Sequence, residues 1–370
     1  MLIVDSHLDL GWNALWWERD LTQEAMTIRV QERGLPPRPG RAEGTVALPD
    51  LRRGRVAVCI ATSVARSTGS VASGADFRSP AQAHASARGQ FAYYRALEQL
   101  GHVVVLESAP AFREHVRRWK AWDEAGAGEA PSIGLVLSME SADPILEPES
   151  VEAWHGIGIR LIGPAHGGPG RYAGGTGTES GFTARGLRLL EEMGRVGIGL
   201  DVTHLTDSGF WEALERFEGP IIASHNNCRS LVPHQRQLTD DQLKALIGRD
   251  AVIGAVADIW MLKPGFVKGT SNADVLLERI CDHVDHVCQL AGDARHAGIG
   301  SDLDGGYGRS QSPGDLDTVA DLQRLGDLLR SRGYGDGDVS SILHDNWFRC
   351  LERVLDGRSS ATAEGGNDLA

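Results

Sequence analysis

Short, nearly continuous apolar runs alternate along this chain with longer stretches of mixed apolar and polar residues, starting from Leu2-Ile3-Val4. The runs at 56–64, 103–106, 132–139, 157–163, 198–203, 220–224, 251–257 and 297–301 predict strands after the first one. The stretches at 80–100, 109–125, 148–154, 183–196, 208–217 and 273–290 predict helices, and two more, 316–332 and 339–355, close the chain. Thr239-Asp240-Asp241-Gln242 has the form of a capping box, with Thr239 as N-cap and Gln242 reaching back, so a helix should run from there to about 247. Repeated strand and helix alternation with apolar strands signals a parallel sheet covered on both faces. The stretch 11–49 has neither pattern: it carries Trp12, Trp16, Trp17 and a Pro-rich segment, and reads as a long loop acting as a lid. Its tryptophans serve as core plugs or as the contact of a homodimer.

Two architectures fit such a sheet, and the residues at the strand ends decide between them. The first run ends in Asp5-Ser6-His7-Leu8-Asp9. Alternate side chains on a strand share a face, so His7 and Asp9 project together from its C-terminal end. Four more runs end in a candidate ligand or acid: Glu140, His204, His225 and Asp302. An open doubly wound sheet gathers its site at one switch point, whereas a barrel brings the ends of many strands to one mouth. The prediction is an α/β fold, a (β/α)8 TIM-type barrel of the metal-dependent hydrolase type, with extra helices and the long loop after the first strand. It should occupy 1–357 as one domain, leaving 358–370 as a flexible tail.

The length of 370 residues suits one large barrel, and 41% hydrophobic with 24% charged residues is ordinary for a soluble enzyme. A formal net charge of −13 argues against nucleic acid as a partner. The five cysteines, Cys59, Cys228, Cys281, Cys288 and Cys350, are odd in number and lack a CxxC spacing, so neither a disulfide framework nor a sulfur zinc site is indicated. With no leader-like segment, membrane-spanning run or lipid-anchor signal, the expectation is a cytoplasmic protein without a membrane partner.

A histidine and carboxylate set without sulfur favours zinc or a similar divalent ion. Glu140, at the end of Gly134-Leu135-Val136-Leu137-Ser138-Met139, would meet a large desolvation cost unless paired or metal-bound, and a carboxylate bridging two cations answers it. In Gly300-Ser301-Asp302-Leu303-Asp304-Gly305, Asp302 is placed to face the metals as general base, while Asp304 ties down its loop. The glycine-rich segment 174–181 fails as a Walker A motif because no Gly-Lys-Ser/Thr follows. It fails as a dinucleotide fingerprint because Ser180 holds the final glycine position, and it reads as a flexible active-site loop.

Together with Leu48-Pro49-Asp50-Leu51-Arg52-Arg53-Gly54, Leu200-Asp201-Val202-Thr203-His204, Ser224-His225-Asn226-Asn227-Cys228-Arg229 and Asp345-Asn346, these motifs resemble the membrane (renal) dipeptidase family of the amidohydrolase superfamily, from Asp5 to about Leu355. The resemblance implies two zinc ions, His7 and Asp9 on one, His204 and His225 on the other, and Glu140 bridging. It implies Asp302 as acid/base, His166 of Gly163-Pro164-Ala165-His166 on the scissile carbonyl oxygen, and Arg236 on the terminal carboxylate of a small dipeptide substrate. The expected reaction is peptide-bond hydrolysis by a hydroxide held between the metals. Three places depart from the family pattern: Leu8, Ser141-Ala142-Asp143 after the bridging Glu, and Gly167-Gly168-Pro169-Gly170-Arg171-Tyr172 after His166. They leave the side-chain preference open. Rival readings are the same chemistry on another carboxylate-bearing amide, lactam or lactone, and a non-catalytic metal-binding protein on the same fold.

Overall fold

The computed structural model describes residues 1–69, 75–126 and 128–357; the predicted tail 358–370 lies outside the described residues. Nine strands form among these: β1 (Ile3–Leu8), β2 (Val56–Val64), β3 (Val103–Val105), β4 (Ile133–Glu140), β5 (Ile159–Gly163), β6 (Gly199–Asp201), β7 (Ile221–Ile222), β8 (Ile253–Ala255) and β9 (Ala297–Ile299). All pair in parallel, in the order β7-β6-β5-β4-β2-β1-β9-β8. A parallel bridge between Ala223, just past β7, and Ile253 in β8 joins the two ends, so the eight strands make a nearly closed barrel with helices outside, as the strand ends predicted. Strand β3 lies off this ring on the first half of β4.

Strands β2 and β4 are buried along their whole length, which their continuous apolar character requires of strands covered on both faces. Between strands, the helices start where side chains meet their free backbone N–H groups. Ser79, Ser108, Thr183 and Thr206 each accept from the residue three further on. At Thr239 both halves of the capping box form: the hydroxyl takes Gln242 N–H at 3.2 Å, and Gln242 Oε1 takes Thr239 N–H at 2.8 Å. No helix among the described residues is long and apolar enough to cross a membrane.

The stretch 11–49 is not the loop its pattern predicted. It folds into helices Leu10–Trp16 and Ala25–Glu32 and leads into Leu48–Arg53. The face that Ala25–Glu32 buries consists of Ala25, Ile28, Arg29 and Glu32, so helical spacing is present but half the stripe is charged. Those charges are neutralised inside. Arg19 holds Glu32 through Nε at 2.8 Å, and Arg29 Nη1 reaches Asp317 at 2.9 Å. Trp12 and Trp17 meet edge to face and are buried with Val64, whereas Trp16 is 44% exposed. Further along, the helix expected from 273 begins at Glu278, because Leu277 N–H is taken by Asp315 and Val275 C=O by Gly314. The last predicted helix contains a π-helical turn, Ser341–Asp345.

Asp304 fastens this insertion to the barrel. Its carboxylate accepts from Thr45 N at 2.8 Å, Thr45 Oγ1 at 2.8 Å and Val46 N at 3.0 Å, and faces Arg19 Nη1 at 3.3 Å, all buried. Asp304→Ala should therefore leave three donors of Thr45 and Val46 unmet and take from Arg19 one of its two buried carboxylates. A loss of about 3–5 kcal/mol is expected, the cost of breaking a buried ion pair, read from urea unfolding of the metal-free protein.

Candidate active site

Every residue singled out at the strand ends meets at the mouth of the barrel around Glu140, the last residue of β4. Its Oε1 stands 2.9 Å from His204 Nε2 and 3.4 Å from His225 Nε2. Its Oε2 stands 3.6 Å from His7 Nε2 and 3.7 Å from His166 Nε2. Asp302 Oδ1 and Asp9 Oδ2 lie 3.9 and 4.0 Å from His7 Nε2. The two oxygens of one carboxylate thus face two different sets of imidazoles.

The chain reaches these positions irregularly. Regular alternation was expected to carry His7 and Asp9 out together, but the pairing of β1 with β2 slips between Asp5 and Leu8, and Asp9 lies beyond the strand as the N-cap of the next helix. His204 and Asp302 also follow their strands and take left-handed backbone conformations, φ 69° and 57°. Non-glycine residues held there cost about 1–3 kcal/mol each and persist only where their surroundings fix them. Gly300, just before Asp302, packs so closely that a Cβ would stand 1.8 Å from Ser224 O, which itself accepts from Ser6 Oγ at 2.6 Å.

A further layer fixes the rings. His225 Nδ1 lies 2.9 Å from Ser224 Oγ, and that hydroxyl donates to Asp201. His204 Nδ1 lies 2.9 Å from Thr176 Oγ1. Gly167 N–H donates to His166 Nδ1 at 2.6 Å, which assigns the ring proton of a neutral His166 to Nε2, the nitrogen facing Glu140. Asp201, Ser224 and Thr176 were not assigned roles from the sequence, although a buried acid such as Asp201 inside a strand-end motif is a signal that it serves something. The segment 174–181, predicted to be flexible, is instead bonded to the loop after β5, with Thr176 N–H on His166 O at 2.8 Å. Its glycines allow this approach rather than providing freedom.

Electrostatics set the chemistry of the cluster. Burial opposes the charged form of His7, but Glu140, Asp9 and Asp302 together outweigh it and raise its pKa. Burial, with Glu140 and Asp9 adding repulsion against the pull of His7, holds Asp302 well above the usual carboxyl range. Burial also lowers His166, to about 4, with Arg66 and Arg236 acting in the same direction against Glu140. His7 Nε2, Asp9 Oδ1 and Glu140 Oε1 are buried without a hydrogen-bond partner. Three overlapping ligand sets, His7 with Asp9 and Glu140, Glu140 with His204 and His225, and His7 with His225 and Asp302, each have donor atoms within 4.8 Å. Carboxylates and imidazole nitrogens crowded this closely can share a cation, and this nitrogen and oxygen set fits a divalent metal.

Arg236 lies buried beside this cluster. Its Nη2 donates to His225 O at 2.8 Å, while Nη1 has no partner. Burial lowers its pKa against the attraction of Asp302 and Glu140, but a guanidinium stays charged in proteins, and this one holds an unused N–H group.

A model of the membrane dipeptidase family, peptidase family M19, matches residues 1–364. The chain belongs to that family of metallo-dipeptidases. An uncharacterized protein in the pqqA 5′ region of Klebsiella pneumoniae is 31% identical over 216 residues, 56% of this chain and 77% of that one. Dipeptidase verJ of Clonostachys rogersoniana is 28% identical over 240 residues, 64% of this chain and 58% of the fungal one. The match thus spans little more than half of that enzyme. Among solved structures, a metallopeptidase from Rhodobacter sphaeroides liganded with a phosphinate mimic of L-Ala-D-Ala shares the fold with a TM-score of 0.74 and 22% identity, over 96% of this chain and 99% of that one. The probable dipeptidase PvdM of Pseudomonas aeruginosa also has a TM-score of 0.74, with 16% identity, over 97% of this chain and 96% of that one.

Proposed function

We propose that this protein hydrolyses the peptide bond of small dipeptides at a centre of two zinc ions. The observation that carries the reading is the division of Glu140, one oxygen toward His204 and His225 and the other toward His7, with Asp9 beside it. His7 and Asp9 would hold one ion, His204 and His225 the other, and Glu140 both. Bound there, zinc supplies Lewis acidity toward water and the scissile carbonyl.

The chain's own groups supply the rest. Asp302, 16% exposed at the mouth, is positioned to take a proton from the attacking water and return it to the leaving amine. His166 presents Nε2–H, and as a neutral donor it can stabilise the charge developing on the carbonyl oxygen. Arg236 offers its unpartnered Nη1 to the substrate's terminal carboxylate, a pairing that suits a planar guanidinium. The dipeptide mimic bound by the Rhodobacter sphaeroides metallopeptidase supports the same substrate class.

Metal analysis should find a stoichiometry near two per chain, and Glu140→Gln should lower it, because a neutral amide bridges two cations poorly. One tightly held metal, unchanged in the variant, would sink the binuclear reading.

Asp302→Asn should keep the metals and lose ~10²–10⁴-fold in turnover, the usual range of acid–base assistance. Steady-state kinetics with metal content measured in parallel check it.

Substrate class is tested at Arg236. Arg236→Ala should weaken kcat/KM on free dipeptides by about 1.5–3 kcal/mol for each charged hydrogen bond lost. C-terminally amidated dipeptides should be poor substrates for the parent and little further harmed by the mutation, a coupling that isolates the contact. Equal losses on both would make Arg236 structural.

A further inference from the structure

The segment around Thr176 touches three parts of the site at once. Thr176 N–H donates to His166 O at 2.8 Å, and Thr176 Oγ1 lies 2.9 Å from His204 Nδ1. The rings of His166 and His204 stack, with centroids 4.4 Å apart and planes 19° from parallel. Gly175 makes this approach feasible, since a Cβ there would stand 1.8 Å from His166 O. On its far side the segment is clamped by Gln235, which accepts from Gly177 N at 2.8 Å and donates to Thr178 O at 2.7 Å, one residue before Arg236.

We propose that Thr176 is a positioning residue for the metal centre: its hydroxyl accepts the Nδ1 proton of His204, leaving Nε2 free toward Glu140, while its backbone N–H sets the stacked His166. The argument is one of proton placement. A neutral imidazole carries one ring proton, and a ring that ligates through Nε2 must carry it on Nδ1, where it needs an acceptor. Among the described residues that acceptor is Thr176 Oγ1. The need is acute at His204 because its left-handed backbone, φ 69°, gives the side chain no regular strand to hold it. His225 has the equivalent support from Ser224 and Asp201. Thr176 thereby couples the ligand ring to the ring that meets the carbonyl, and Gln235 ties the same segment to the residue preceding the carboxylate-binding arginine.

This inference rests on the metal reading above, and three proteins separate the two: the parent, Thr176→Val, which removes the hydroxyl at nearly constant shape, and Thr176→Ser, which keeps it. Zinc affinity is measured by competition with a chromophoric chelator. Long-range ¹H–¹⁵N spectra of the zinc-loaded proteins report the His204 tautomer. The valine variant should bind zinc ~10–100-fold more weakly, the usual effect of losing such a support, and serine should restore most of it. The parent should show His204 protonated at Nδ1 with slowed proton exchange. Parent-like affinity in the valine variant, or serine as defective as valine, would overturn the proposal. Should the valine variant not fold, an unprotonated Nδ1 in the zinc-loaded parent overturns it and a protected Nδ1 proton supports it. A parent that binds no zinc would overturn the metal reading instead.

Discussion

A carboxylate at the buried end of β4 is the constraint around which the molecule is arranged. An ionised Glu140 in that position is untenable alone, and no strand neighbour in sequence can neutralise it. Its compensation comes from imidazoles that the chain supplies between positions 7 and 225, with Asp9 and Asp302 adding negative charge that calls for still more cation. A nearly closed ring of parallel strands brings such distant residues to one rim. The local irregularities follow from that demand: the slip in β1 and the left-handed turns at His204 and Asp302 are distortions that aim side chains inward. Hydrogen bonds then fix what the distortions present: Ser224 and Asp201 at His225, Thr176 at His204, and Asp304 in the loop of Asp302.

The barrel was legible because strands buried on both faces write a continuous apolar signal, as in Val56–Val64, and because ligands recur at their ends. Helix starts such as Thr239 were legible for a local reason, since a capping box involves residues only three apart. The insertion after β1 was not legible. Its helix Ala25–Glu32 buries an arginine and a glutamate, whose partners, Asp317 far along the chain and Arg19 in the preceding turn, leave no trace in an apolar periodicity. The ring-orienting residues escaped for a related reason: a threonine in a glycine-rich segment has no distinguishing pattern until the fold sets it against His204.

Two of the places where this chain departs from its family's pattern turn out to be one structure. Asp143, after β4, accepts from Arg171 N at 2.8 Å, and the Arg171 guanidinium donates back to Asp143 O at 2.9 Å and to Ile145 O at 2.6 Å. Asp143 also accepts from Ser67 N at 2.8 Å, joining the loops after β2, β4 and β5 into one wall of the mouth.

The barrel closes through a brief contact, the Ala223–Ile253 bridge, with Ala223 N–H on Val252 O at 3.1 Å and Gly254 N–H on Ala223 O at 2.9 Å. On one side of that seam stand His204 and His225, and on the other Asp302, His7 and Asp9. In the proposed centre, an ion on His204 and His225 and another on His7 and Asp9, both held by Glu140, would span it. Such a centre would double as a clasp: filling it would fasten a sparsely bonded edge of the ring, and emptying it would leave that edge freer to open.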